Sequence, residues 1–338
     1  MADRQPWRPM SFDEAIDISA RVAHRQRLRR QLHFLYAFVA TLVIAAIAVA
    51  GFPYVLQWRA SIATSKTADE AARHVQGWPY PQAERAFAAA KRYNRKIAAS
   101  EQSVLGEASD PFANVPGGSH TSDDSDSISA KDKEYQSLLD AGGGVMGTIR
   151  VPKVSIKLPI YHGTSNVALA SGAGHLYGTS LPVGGASTHA VITGHRGLVE
   201  AAMFTRLDEV RKGDFFYIEV MGETLGYEVD RIEVIEPSDT SKLRVVKGED
   251  RVTLMTCTPY GVNTHRLLVS GHRVSIPQPA PDPNTMRDPW AAAVEVGFAV
   301  LAIGLLTLFV LGRRNRPQPH IMRHATVHLG TLIGHFRT

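Results

Sequence analysis

The sequence predicts a mostly β domain, a closed or nearly closed barrel preceded by helices, held between two transmembrane helices. Three observations predict it: two apolar runs of membrane-spanning length, a series of short β-branched runs between them, and too few helical patterns among those runs to build a parallel α/β sheet. Closure is favoured because many short strands would otherwise leave exposed edges.

The 338 residues carry a net charge of +5, which divided along the chain is a property of its ends. Residues 1–33 hold 7 basic and 4 acidic groups, 312–338 hold 5 basic and none acidic, and 57–289 hold 25 basic against 27 acidic. A basic nucleic-acid face on the folded part is thereby disfavoured, and tails beside a membrane are favoured. The first tail, 1–33, leads into the apolar run 34–56, and the second run, 290–311, leads into the tail 312–338. Arg21, Arg25, Arg27, Arg29 and Arg30 precede the first run, and Arg313, Arg314 and Arg316 follow the second. The positive-inside rule places both termini in the cytoplasm and everything between the helices outside the cell, in contact with membrane lipid only through the two helices. Glu295 lies near the outer end of the second run, where a carboxylate is tolerated. A competing reading makes the first run a cleaved signal peptide ending near Ala48-Val49-Ala50; the outer domain would then hang from the second helix.

Between the runs, 57–144 reads as a helical spacer: Ala, Glu, Lys and Arg dominate 67–100, with a break near Pro79-Tyr80-Pro81. The stretch 114–129 is rich in Gly, Ser and Asp and reads as a mobile loop, followed by a short helix over 131–140 that ends at Gly142-Gly143-Gly144. The barrel is expected over 145–276, with strands at 146–151, 156–161, 189–193, 215–221, 225–234, 251–257 and 266–274, and a linker over 277–289.

Three polar side chains stand at predicted strand ends: His195 after Ala190-Val191-Ile192-Thr193-Gly194, Cys257 closing Thr253-Leu254-Met255-Thr256, and Arg266 opening the last strand. Cys257 is the single cysteine, so it cannot form an internal disulfide in an exported domain and is an inert buried thiol, an intermolecular link or a reactive group. A thiol attacks a carbonyl well only as the thiolate, which a nearby cation favours; His195 can supply one and later protonate a leaving amine, and Arg266 can bond an oxyanion. The bland alternatives are a core cysteine, a structural histidine and an arginine paired with a surface acid. His162, His175, His189, His265 and His272 show no metal-ligand spacing, and His320, His324 and His328 share one face of a tail helix, so no metal and no other cofactor is expected.

The words around these residues carry more than their spacing. The stretch Thr253-Leu254-Met255-Thr256-Cys257-Thr258-Pro259-Tyr260-Gly261-Val262-Asn263-Thr264-His265-Arg266-Leu267 resembles the active-site signature of sortases, and its Pro-Tyr-Gly-Val-Asn-Thr-His-Arg portion resembles the pilus-assembling class C group. Ile149-Arg150-Val151-Pro152-Lys153, Leu158-Pro159-Ile160-Tyr161-His162-Gly163-Thr164 and Thr193-Gly194-His195-Arg196 extend the resemblance over roughly 70–275. It implies an eight-stranded sortase barrel that cuts an LPXTG-like sorting signal after Thr, holds the pilin as a thioacyl enzyme, and passes it to a Lys amine of the next pilin.

Carried over by residue, the resemblance makes Cys257 the nucleophile, His195 the general acid and Arg266 the group that steadies substrate or oxyanion, with Thr256 helping to bind substrate. Asp110-Pro111-Phe112 matches the class C lid motif, which implies that Asp110 bonds Arg266 while Phe112 covers Cys257. Asp288-Pro289-Trp290 is a second copy, but it abuts a membrane run where Trp is an interfacial anchor. One charge-assisted hydrogen bond contributes roughly 1.5–3 kcal/mol and a buried Phe a similar amount, against about 1–2 kcal/mol for each ordered loop residue; such a lid opens readily. The alternatives are a housekeeping sortase that attaches proteins to cell-wall precursor and a surface scaffold without catalysis. Papain-like and caspase-like enzymes do not fit: the first has the opposite Cys–His order, and the second needs a Gln-Ala-Cys signature absent here.

Overall fold

A computed structural model describes residues 12, 17–100, 102, 127–198, 200–276 and the positions 297, 299, 303, 304 and 307. The chain divides into two compact units, Met1–Met286 and Arg287–Thr338. In the second unit Gly297, Ala299, Ile303, Gly304 and Thr307 are helical; the span expected over 290–311 otherwise lies outside the described residues, as does the tail after it.

In the first unit, α1 (Ser19–Gln76) is a single 58-residue helix that contains the apolar run and continues into the spacer. Among the described residues it is the one helix long and apolar enough to cross a membrane. The sequence reading separates a span at 34–56 from spacer helices; the backbone shows no break between them, and Pro53 is carried inside the helix. The chain turns at Gly77–Pro81 into α2 (Gln82–Ala99), at the Pro-Tyr-Pro signal. One face of α2 buries Ala90, Tyr93 and Asn94. Asn94 locks it to the barrel side on: its amide donates to Leu181 O at 2.9 Å and accepts from Leu181 N at 2.7 Å.

Two short helices, α3 (Ile128–Lys131) and α4 (Lys133–Ser137), are each opened by a side-chain cap, Ser127 to Ala130 N and Asp132 to Tyr135 N. Tyr135 is fully buried, and its hydroxyl meets His175 Nδ1 at 2.8 Å and accepts from Gly163 N at 2.9 Å. Pairs of this kind fasten the helical approach to the barrel wall.

The barrel has eight strands: β1 (Val145–Val151), β2 (Ile156–His162), β3 (Ala173–His175), β4 (Thr188–Thr193), β5 (Phe215–Val220), β6 (Glu223–Ile235), β7 (Asp250–Thr258) and β8 (His265–Val274). They close in the order β1-β2-β3-β4-β7-β8-β6-β5. Seven strands are visible as β-branched runs. The eighth, β3, is only three residues long, Ala-Gly-His, too short to show alternation; it is placed by a parallel pairing to β2 through the one-turn crossover α5 (Asn166–Ser171).

All six residues of β4 are buried. Alternate residues explain this: Ala190 and Ile192 join the barrel interior with Val252, Leu254, Leu267 and Val269, while Val191 packs with Met255, Cys257, Leu268, Ile235 and Leu243 on the outer side. The apolar stretch Ala190-Val191-Ile192 fills both faces at the middle of the strand, while Thr188, His189 and Thr193 are buried polar residues at its ends.

Candidate active site

Strand register assembles the site. β4 and β7 are parallel, with Thr193 opposite Met255, and Gly194 N continues the ladder to Met255 O at 3.1 Å. β7 and β8 are antiparallel, with Cys257 opposite Arg266. His195 lies two residues past Thr193 as Cys257 lies two past Met255, so thiol and guanidinium face one another on β7 and β8 and the imidazole is carried by the loop that leaves β4 at the same end of the barrel. The spacing of 62 residues between His195 and Cys257 thus becomes one strand-to-strand step.

Local sequence explains why the rim holds this shape. Phe204 is fully buried beneath the loop that carries His195, and its N–H donates to His195 O at 2.9 Å. A Cβ on residue 194 would lie 2.8 Å from the Phe204 ring, so Gly is required there. On the other side Arg266 Nη1 donates to Asn263 O at 3.0 Å and His265 O at 2.9 Å, which ties the β7–β8 loop back onto the guanidinium.

Cys257 is 2% exposed and Arg266 is 3% exposed, while His195 is half-buried. Burial alone pushes the His195 imidazole below the usual histidine range, because a desolvated imidazolium is disfavoured. On the outer side of the barrel the thiol packs in a buried apolar cluster with Val191, Met255, Leu268, Ile235 and Leu243.

Thr256, expected to help bind substrate, is fully buried on the opposite side of β7 from Cys257, and its hydroxyl donates to Gly194 O at 2.7 Å. The alternation of the strand decides this: neighbours on β7 face opposite ways, and what Thr256 does is brace the His195 loop. The lid residues Asp110, Pro111 and Phe112 lie outside the described residues. Among the described residues no group of three or more His, Cys, Asp or Glu side chains could hold a metal ion.

Two polar neighbours of the site were not singled out by spacing. Arg196 is directed at the end of β7, with Nη1 3.2 Å from Thr258 Oγ1 and Nη2 2.5 Å from Asp208. Its adjacency to His195 was the available signal. His189, Thr253 and Ser270 form a buried chain: His189 Nε2 is 2.7 Å from Thr253 Oγ1, which is 2.7 Å from Ser270 Oγ. His189 Nδ1, 3.0 Å from Arg244 O, anchors the β6–β7 loop over the outer face. Nothing in the sequence pairs His189 with position 244, because the contact crosses 55 residues. A cavity of about 330 Å³ lies elsewhere, between α1 and the β1–β5 wall; Asp69, Arg73, Thr148, Arg150 and Glu219 are among its lining, and neither thiol nor imidazole is.

Comparison with known proteins bears on the family and the fold. A family model for the sortase domain matches residues 149–274. The chain is 29% identical to Sortase D of Bacillus subtilis (strain 168) over 146 residues, 42% of this chain and 71% of that protein. It is 30% identical to Sortase A of Streptococcus agalactiae serotype III (strain NEM316) over 117 residues, 34% of this chain and 47% of that protein. Among solved structures, sortase C of Streptococcus pneumoniae is 37% identical with a TM-score of 0.53, covering 62% of this chain and 97% of that one. Sortase C1 of GBS Pilus Island 1 is 39% identical with a TM-score of 0.51, covering 65% of this chain and 92% of that one. The chain belongs to the sortase family, whose members are cysteine transpeptidases, and the solved structures it resembles are class C sortases.

Proposed function

We propose that the chain is a membrane-anchored, pilus-assembling sortase that cleaves an LPXTG-like signal and joins the pilin to a Lys amine of another pilin. The observation that carries this reading is the cross-strand pairing of Cys257 with Arg266, level with the extension of β4 that bears His195. In the first half of the reaction the Cys257 thiolate attacks the Thr carbonyl carbon, and Arg266 steadies the resulting oxyanion. The Thr–Gly C–N bond then breaks, His195 gives its proton to the leaving amine, and a thioester remains. In the second half a neutral Lys amine attacks the thioester, its proton passes to His195, and the Cys257 thiolate leaves as the isopeptide bond forms.

Two apolar runs of spanning length and basic tails support a two-pass arrangement with both termini in the cytoplasm and the barrel outside the cell. The Asp110-Pro111-Phe112 motif supports a lid over Cys257. Its test is the alkylation rate of the thiol, which Asp110→Ala and Phe112→Ala should raise; equal rates in variants and parent would remove the lid from the scheme.

The experiment for the whole reading mixes the full chain in detergent with an LPXTG peptide. A Cys257-dependent acyl adduct is expected, resolved by a Lys-bearing pilin segment. Binding without an adduct would leave a scaffold, and resolution only by a cell-wall-precursor amine would leave a housekeeping sortase.

A further inference from the structure

Arg196 has no role in the scheme above, yet its guanidinium stands between the two strands that the scheme needs to hold together. It is 93% buried as a side chain, since its relative exposure is 7%, while its ionic partner Asp208 is half exposed. Nη2 binds Asp208 at 2.5 Å. Nη1 turns the other way, to Thr258 Oγ1 at 3.2 Å and, at the long end of hydrogen bonding, to Cys257 O at 3.5 Å. Its Cζ lies 5.9 Å from the centre of the Tyr260 ring, which packs on Gly197. Nε is buried without a hydrogen-bond partner among the described residues.

A surface ion pair has no need of this arrangement. Lysine could pair with Asp208 from the solvent side and leave no buried donor unmatched, whereas only a planar fork reaches in two directions at once. The orphaned Nε–H is tolerated because the two other arms link the β7 end, one residue past the thiol, to the loop beyond His195. That loop is closed on itself by Gly197 N to Thr205 Oγ1 at 3.1 Å, so a pull at Arg196 is transmitted to its neighbour His195.

We propose that Arg196 is a positioning residue, whose single guanidinium holds the end of the Cys257 strand against the His195 loop and so sets the thiol–imidazole separation. The proposal rests on the reading of Cys257 and His195 as the reacting pair. It explains why a cation is buried at this point of the rim, where Arg266 already serves the other side of the thiol.

Because the chain has one cysteine, its alkylation by iodoacetamide reports Cys257 alone. The rate is measured against pH on the full chain in detergent, for the parent, Arg196→Lys, Arg196→Ala and His195→Ala. A thiol coupled to an imidazole gives a two-limbed profile, and His195→Ala should give one limb. Arg196→Lys is expected to collapse to that single limb, and thioacyl formation with an LPXTG peptide is expected to slow by about 10- to 100-fold, the effect of a misplacement near 1 Å. Arg196→Lys keeps charge and stem, and carries the measurement should Arg196→Ala fail to fold. An Arg196→Lys profile that superposes on the parent's overturns the proposal, even if peptide turnover falls, and so does a parent profile identical to that of His195→Ala. A parent that shows two limbs, loses one in Arg196→Lys and yet forms no peptide adduct would retain the positioning role and remove the proposed function instead.

Discussion

Cys257 and Arg266 stand directly opposite one another on β7 and β8, both almost fully buried, so that a thiol and a guanidinium share one face at the rim of a closed barrel. The antiparallel pairing makes the relationship rigid, because neither residue can shift along its strand without breaking the ladder on both sides.

Arg266→Ala should reduce acylation of Cys257 by about 100-fold or more, the usual loss when an oxyanion donor is removed. Arg266→Lys should recover little of it, since an ammonium is a point donor on a flexible stem and lacks the planar fork that bonds the loop carbonyls of Asn263 and His265 with one arm and leaves the other for an oxyanion. Single-turnover kinetics with an LPXTG peptide decide the matter; near-parent rates in Arg266→Lys would count against an oxyanion role.

His195 should titrate below the usual histidine range when no thiolate is near it, because burial disfavours its charged form. NMR titration of the imidazole in Cys257→Ala measures this. In the parent, a thiolate should draw the value upward again, and identical titrations in the two proteins would mean that the pair is not coupled.

The native state should weaken in acid through His175 and His189. Both are held at about 4 by burial, against 6.5 for an ordinary histidine. Below pH 6.5 the unfolded chain therefore binds protons that the folded chain refuses, and stability falls as the pH drops from 6.5 towards 4. Each group contributes up to about 3 kcal/mol to that fall, and nothing above pH 6.5. Urea unfolding at pH 7, 5.5 and 4.5 reads the slope, which His189→Gln should reduce; a flat dependence in the parent would contradict the assignment.

Gly194→Ala should destabilise the rim by about 1–3 kcal/mol, the range for overpacking, because the new methyl meets the buried Phe204 ring. Thr256→Val, which removes the hydrogen bond to Gly194 O, should cost about 1–3 kcal/mol by leaving a buried carbonyl unmatched. Thermal melts measure both, and turnover should fall with each since the same loop carries His195.

Much of this was legible in the chain. The β-branched runs mark seven of eight strands, the Pro-Tyr-Pro signal marks the turn between α1 and α2, and the Cys257 and His195 words carry the family resemblance. Short β3 was hidden because three residues show no period, and the continuity of α1 was hidden because an apolar run and a polar helix differ in composition though not in backbone.

Side-chain identity along the strands, then, was enough to name Cys257, His195 and Arg266 as candidates and to place them near strand ends. Which of them meet was decided by pairing: a parallel partner for β4, an antiparallel one for β8, and the strict two-residue alternation that turns Cys257 outward and Thr256 inward. Contacts such as Arg196 with Thr258 and His189 with Arg244 join residues 62 and 55 apart, and no local pattern records them because they exist only once the barrel has closed.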